Sequence, residues 1–577
     1  MPYLTMDALN ADNLRLFNWR QQALRDILVK PELHWPFLRP CVVRLLIVAD
    51  GLDFSAQDFG LSTFVQTLLD MPGRHARFNI TLGHINNASA TQMMDGEPRI
   101  ARRITRLRFD DAAHFAPGMY DAVLLFGIVV NFAGRGNNAA GQPYPADRLA
   151  DMELRRLTEF MNAGGGLFAT GDHGALGRAL CHAIPRARGM RLWASTAPQN
   201  DLDQVSMGGQ RRNDTNRTGP SAGSQFDDQS DDVPQSIQPK IYSRRSGFFR
   251  AIYPHPLLCG PNGIIRVMPD HPHEGECVEP SDTAQNLNLG GAALGAEYPP
   301  GAGGAPRPLP EVISWNNVLA GTTSSGKAAT IAQSFGGICA YDGHRAGVGR
   351  VVTDATWHHF VNVNLVGEDG LPSSNPKSMG FLASAAGQAH FEEIKAYFRN
   401  IAVWLSPPDR IACMNARLSW GLVWSDRVLE AVLSTTQIKL AETQPHVLRL
   451  IGTHARDVLG RTAGQCQSLR IMLDLVLVRA LPDLIPHIDP WWPEPERVQG
   501  QDDTPWLDLN PLLDISFGAA LVALREAFPE PSEKLGEQLE PKRIEAVMAE
   551  GGKIGLERGL KSAATAMATT RGLLRVG

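Results

Sequence analysis

Hydrophobic runs of two kinds alternate along the first part of the chain. VVRLLIVADG (42–51) is apolar almost throughout and closes on glycine, the pattern of a strand buried on both faces of a parallel sheet. FGLSTFVQTLLD (59–70) spaces its apolar residues as a helix does, and FNITLGHI (78–85) and YDAVLLFGI (120–128) return to strand-like runs. ADRLADMELRRLTEFMNA (146–163) reads as an amphipathic helix, and after a Gly-rich stop GGGLFATGD (164–172) reads as the next strand. Repeated strand–helix–strand units predict parallel βαβ connections with right-handed crossovers, hence a doubly wound α/β sheet.

The alternation lapses over about 195–330, where RRNDTNRTGPSAGSQFDDQSDDVPQ and EYPPGAGGAPRPLP (297–310) are polar or rich in turn formers. Short apolar segments at 263–269 and 311–321 indicate that this long insertion still packs on the domain. Strands resume at GGICAYDG (336–343) and GRVVTDAT (349–356), and FEEIKAYFRNIAVWL (391–405) is an amphipathic helix that SPPDR (406–410) ends. Residues 1–40 read as a helical lead-in, 41–408 as the α/β domain, and 409–577 as an all-helical region. Helices in that last region are expected at 414–435, 441–460, 464–480, 511–528 and 541–575. A protein partner docking through these C-terminal helices is one expectation.

Composition narrows the class. At 577 residues the chain exceeds one core, and 43% hydrophobic with 20% charged residues is ordinary for globular protein. A formal charge of −5 with scattered Lys and Arg lacks the footprint of a nucleic-acid binder. MPYLTMDALNADNLRLF has no basic segment followed by an apolar core, and no run suffices for a transmembrane segment. Seven cysteines occur singly with no CxxC pair, which predicts reduced thiols in a cytoplasmic protein.

In an open parallel sheet, ligands bind beyond the carboxyl ends of the strands. Those positions hold Asp50, Gly51 and Asp53 after the first strand, and Gly127 and Asn131 after the third. Asp172, His173 and Gly174 follow GGGLFATG, and Trp357, His358 and His359 follow GRVVTDAT. A carboxylate that orients an imidazole makes a proton shuttle, so Asp172 or Asp354 is expected to orient His173 or His358. The same groups suit a divalent metal. PDHPHEGEC (269–277) adds His271, His273 and Glu274 as a second candidate metal cluster, although no standard zinc spacing is present. Arg211 to Asp214 and FDDQSDD (226–232) are candidates for a polar lid; a solvated loop held by Asx turns is the alternative.

YDAVLLFG, the helix after it, and NAGGGLFATGDHGALG resemble the nucleophile-elbow region of class I glutamine amidotransferase-like domains, closest to the trehalose-utilisation-like (ThuA-like) branch. GVGRVVTDATWHHF (347–360) is similar to a later strand of that branch, and the likeness covers roughly 42–194 and 335–405. It implies a flavodoxin-like fold. The elbow Cys of true amidotransferases is replaced here by Asp172-His173, Cys181 lies further on, and no carboxylate follows the 358–359 histidines. Thioester glutamine hydrolysis is therefore not expected. Two functions remain open. One is a hydrolase or lyase acting on a small polar, sugar-like or carbonyl metabolite, with His173, Asp172 and His358 as catalytic groups. Asp50, Asp53, Gly127, Gly174, Trp357 and His359 would then contact the substrate. The other is a non-catalytic sensor or scaffold that signals through the C-terminal helices.

Overall fold

Nine residues, Cys41–Ala49, form strand β1, and their side chains alternate between two cores. Val43, Leu45 and Ile47 enter one core, Leu46 and Val48 the other, and all are buried. A period of two with no polar face puts this strand in the middle of a three-layer structure. The computed structural model describes residues 40–71, 75–172, 175–193, 234–246, 249–261, 263–269, 275–318, 333–368, 370–372, 374, 378–423, 438–463, 468, 471–472, 507–508, 510–529 and 540–574. The expected helical lead-in (1–39), most of 464–480 and both halves of the candidate lid lie outside them.

Around β1 lie β2 (Ala76–His84), β3 (Arg102–Thr105), β4 (Ala122–Phe126), β5 (Gly166–Thr170) and a later strand, Val351–Asp354. The insertion and the segment just after it add β6 (Pro234–Pro239), β7 (Val267–Pro269), β8 (Glu311–Val318) and β9 (Gln333–Tyr341), which makes Val351–Asp354 β10. Among the described residues the central sheet has the order β7-β6-β8-β9-β10-β5-β4-β1-β2-β3. From β10 to β3 every pairing is parallel, and from β10 outward to β7 every pairing is antiparallel. The short edge strand β3 carries RRIT, too polar to stand out as a strand in the sequence.

Helices cover both faces. α1 (Ser62–Leu69) and α5 (Ala385–Trp404) share a core with Leu45, Ile47, Phe126 and Phe168. On the other face α2 (Asp151–Asn162) and the short α3 (Arg178–Cys181) pack over Leu46, Val48, Leu125 and Leu167. α4 (Asn362–Val366) is a single turn after β10. α5 begins six residues before the apolar pattern does, because the Ser384 hydroxyl accepts from the Gly387 amide and caps it.

Pro408 does more than stop a helix: it opens α6 (Pro408–Val423) at a position that needs no amide donor. α6 serves two cores. Ile411, Cys413 and Met414 pack with the sheet, whereas Ala416, Leu418, Trp420 and Leu422 pack with α7 (Pro445–Ala463), α8 (Asn510–Ala527) and α9 (Pro541–Leu574). Cys413 is disulfide-bonded to Cys41 at the start of β1, with Cα atoms 6.1 Å apart across 372 residues. The reduced-thiol expectation is therefore corrected for this pair, because two cysteines distant in sequence meet at the seam between the cores. Among the described residues Cys181, Cys259, Cys277 and Cys339 are buried. Among the described residues no helix is long and apolar enough to cross a membrane.

Candidate functional site

The parallel strands end level. Ala49 pairs with Phe126, Phe126 with Thr170, and Thr170 with Asp354, so the segments after β1, β4, β5 and β10 leave the sheet side by side. Between β1 and β4 the strand order reverses, and the crevice there is where such sheets bind ligands.

Asp50 sits at that reversal. Its Oδ1 accepts from the amides of Ile128 (2.7 Å) and Val129 (3.4 Å), which ties β1 to the loop after β4. The Asn86 amide holds the Asp50 carbonyl at 2.8 Å. Among the described residues Asp50 Oδ2 is buried without a hydrogen-bond partner, and desolvation pushes the carboxyl up to about 7 against backbone hydrogen bonds that pull it down. Gly127 continues the sheet by donating to the Thr170 carbonyl (3.1 Å), and a Cβ there would lie 2.8 Å from the Cα of Gly177. Gly177, at φ 88°, has backbone where a side chain would go, so the two loops touch main chain to main chain. Asp53 turns its Oδ1 onto the Ser55 amide (2.7 Å), an Asx turn that shapes its own loop. Asn131 is exposed.

Asp172 and His358 come together. His358 Nε2 lies 3.3 Å from Asp172 Oδ2, both side chains being wholly buried. His358 Nδ1 is 3.0 Å from Asn364 Oδ1, so each ring nitrogen faces an oxygen. Thr356 organises the pair: its hydroxyl donates to Asp172 Oδ1 (3.0 Å) and accepts from the His358 amide (2.9 Å), capping the turn Trp357–His359. The buried Arg191 donates to the carbonyls of Asp172 (2.6 Å) and Ala355 (2.7 Å), which clasps the two loops together. Trp357 lies against His358 with ring centroids 3.9 Å apart and planes tilted by 32°, and Phe59, 44% exposed, lies edge-on to both rings.

His359 turns the other way. Its Nδ1 meets Asp354 Oδ1 at 2.8 Å, and the Tyr397 hydroxyl donates to Asp354 Oδ2 at 2.7 Å. Burial, then Asp354, raises the Tyr397 phenol well above its ordinary range, which keeps it a donor. Asp354 thus orients His359, not His358 as one expectation had it, because Asp354 is the last strand residue and points into the core beneath the turn. Cys181 is buried behind β5 with its thiol 3.8 Å from the Thr170 carbonyl, and burial raises that thiol well above its usual value.

His173 and Gly174 lie outside the described residues, as do His271, His273 and Glu274. Sequence reasoning missed Asn364, Thr356, Arg191, Tyr397 and Phe59. The two asparagines in VNVNLV were a usable signal, since an amide inside an apolar run needs a dedicated partner. Asn362 has its own: it donates to the carbonyls of Ser55 and Gln57 and accepts from the Thr63 amide, fixing the loop that carries Phe59.

The arrangement can hold a proton. His358, wholly buried below the carboxyl edge of the sheet, has an oxygen beside each ring nitrogen, one of them a carboxylate's, which is how a carboxylate orients an imidazole. Compared with family models, with curated proteins and with solved structures, the chain gives no match in any of the three.

Proposed function

We propose that the α/β region is an amidotransferase-like, ThuA-like domain that binds a small polar metabolite, sugar-like or carbonyl-bearing, and acts on it as a hydrolase or lyase. His358 is the acid–base group and Asp172 its orienting carboxylate. The observation that carries this reading is the 3.3 Å approach of His358 Nε2 to Asp172 Oδ2 at the carboxyl edge of the sheet. The flavodoxin-like assignment draws support from strand order. Without the four-residue edge strand β3, the parallel strands run 2-1-3-4-5, the flavodoxin order. With β3 included the order is also that of dinucleotide-binding folds, but DGLDFSAQDFG after β1 lacks their G-x-G-x-x-G turn. The buried, high-pKa Cys181 thiol accords with chemistry that does not pass through a thioester.

Turnover of a panel of hydroxylated and carbonyl metabolites, followed by proton NMR, tests the reading. The wild-type chain should consume at least one, and His358→Ala and Asp172→Asn should each slow it roughly 100-fold or more with the fold intact. Undiminished turnover in both variants would sink the catalytic assignment. A second reading, a non-catalytic sensor, is favoured by one feature. α6 joins both cores and is bonded to β1, whose far end carries Asp50. Binding of a panel member without consumption, and unchanged in His358→Ala, would select it.

A further inference from the structure

A cavity of about 380 Å³ lies between α1 and α5, away from the His358–Asp172 pair. Its walls bring together Ser62, Gln66, Met94, Phe391, Lys395 and Arg399. Most of the charge around it is already balanced. Asp70, also in the wall, accepts from Arg99 (2.7 Å) and from Gln66 (2.8 Å), one on each oxygen. Lys395 is ion-paired with Glu392 and lies over the Phe391 ring. Arg399 differs. Among the described residues its one hydrogen bond runs from Nε to the Thr67 carbonyl at 3.4 Å, and no carboxylate comes within ion-pair distance of it. Burial pulls its guanidinium below the usual arginine range, and the longer-range pull of Glu392 and Asp70 offsets only part of that cost.

We propose that this cavity is a binding site for a small anionic metabolite, a carboxylate or a phosphate monoester, whose charged head pairs with Arg399. With Nε on the Thr67 carbonyl, the Nη1–Nη2 edge of the guanidinium is left to match the planar or tetrahedral oxygens of such a head bidentately. Met94 and Phe391 offer apolar surface to the ligand's body, and the volume falls in the range of small-molecule sites. The cavity is built next to the candidate site's scaffold. Ser62 and Thr63 in its wall are held by Asn362, two residues from the Asn364 that positions His358.

Inorganic phosphate and acetate serve as probes on the full chain, with chloride at equal ionic strength as the control. Thermal unfolding should shift upward with phosphate or acetate and saturate, as binding to the folded state alone requires. Phosphorus NMR of the phosphate should broaden in parallel. Whichever probe gives the larger shift identifies the head group. Arg399→Gln should weaken binding roughly tenfold or more, and Arg399→Lys, which keeps the charge but not the fork, should fall between. Lys395→Gln, removing an already paired charge, should change it less. Shifts no larger than chloride's, or binding retained in full by a folded Arg399→Gln, would overturn the proposal. Neither result bears on the His358–Asp172 reading, whose test is turnover.

Discussion

Asp50 shows how a single buried carboxyl can set a pH dependence. Its folded value near 7 lies above the ordinary 3.8, so the folded state holds this proton more tightly than the unfolded chain does. Its contribution to stability is fully present below about 3.8 and is lost as pH rises through 7, by at most roughly 4 kcal/mol. His75 acts in the opposite sense. Burial lowers it to about 4, so its contribution is present above its ordinary 6.5 and is lost as pH falls through about 4. Comparing wild type with Asp50→Asn cancels the histidine. The variant should gain stability relative to wild type as pH rises from 4 to 7, read from urea midpoints at several pH values. Parallel profiles for the two proteins would show that Asp50 does not titrate in this range. The sequence placed Asp50 at a strand end but gave no sign of this behaviour, because the missing partner of Oδ2 is a property of what surrounds it.

Among the elements, α8 and α9 are the clearest case of packing overriding propensity. Gly551, Gly555 and Gly559 recur every four residues on α9 and face Ala523, Ala519 and Ile515 of α8. The Ser516 hydroxyl reaches the Gly552 carbonyl at 2.7 Å across the same seam. In isolation Gly→Ala within a helix gains about 1 kcal/mol. At Gly555 the added methyl would press on the Ala519 methyl and stand 3.0 Å from the Ile515 carbonyl, atoms that move only with the backbone. Overpacking of this kind costs about 1–3 kcal/mol, so Gly555→Ala should be destabilising despite its better propensity. Chemical denaturation measures it, and a stabilised variant would mean that the helices are not so closely apposed. The small residues of this segment were visible in the sequence, but not which helix they face.

At the scale of the molecule, the Cys41–Cys413 bond closes a loop of most of the chain and fastens α6 to the first strand. Removing such a cross-link costs about 2–5 kcal/mol, and the effect here should appear in both cores because α6 belongs to each. Alkylation and mass analysis of the unreduced, denatured protein should find Cys41 and Cys413 unmodified and Cys181, Cys259, Cys277 and Cys339 modified. Cys41→Ser should lower the denaturation midpoint as much as Cys413→Ser and as reduction does. Modification of Cys41 and Cys413, or unequal single variants, would show that the bond does not form.

How far the sequence reached depends on the range of the forces involved. The buried strands β1, β4 and β5, the helices covering them and the helical C-terminal region were legible, since each is written as a local period of two or of 3.6. The Asp and His residues at strand ends were legible for the same reason: a buried apolar run tells where it stops. The edge strand β3, the antiparallel strands from the insertion and the disulfide were not. A polar edge strand has no apolar signature, and pairing between distant segments depends on long-range register. That Asp172 faces His358 while Asp354 faces His359, with Asn364, Thr356 and Arg191 fixing them, was decided only when β5 and β10 came to lie side by side. Residue types are local information. Which of two neighbouring histidines meets which of two carboxylates depends on a rotation of the chain by one residue in a turn, and only the packed structure sets it.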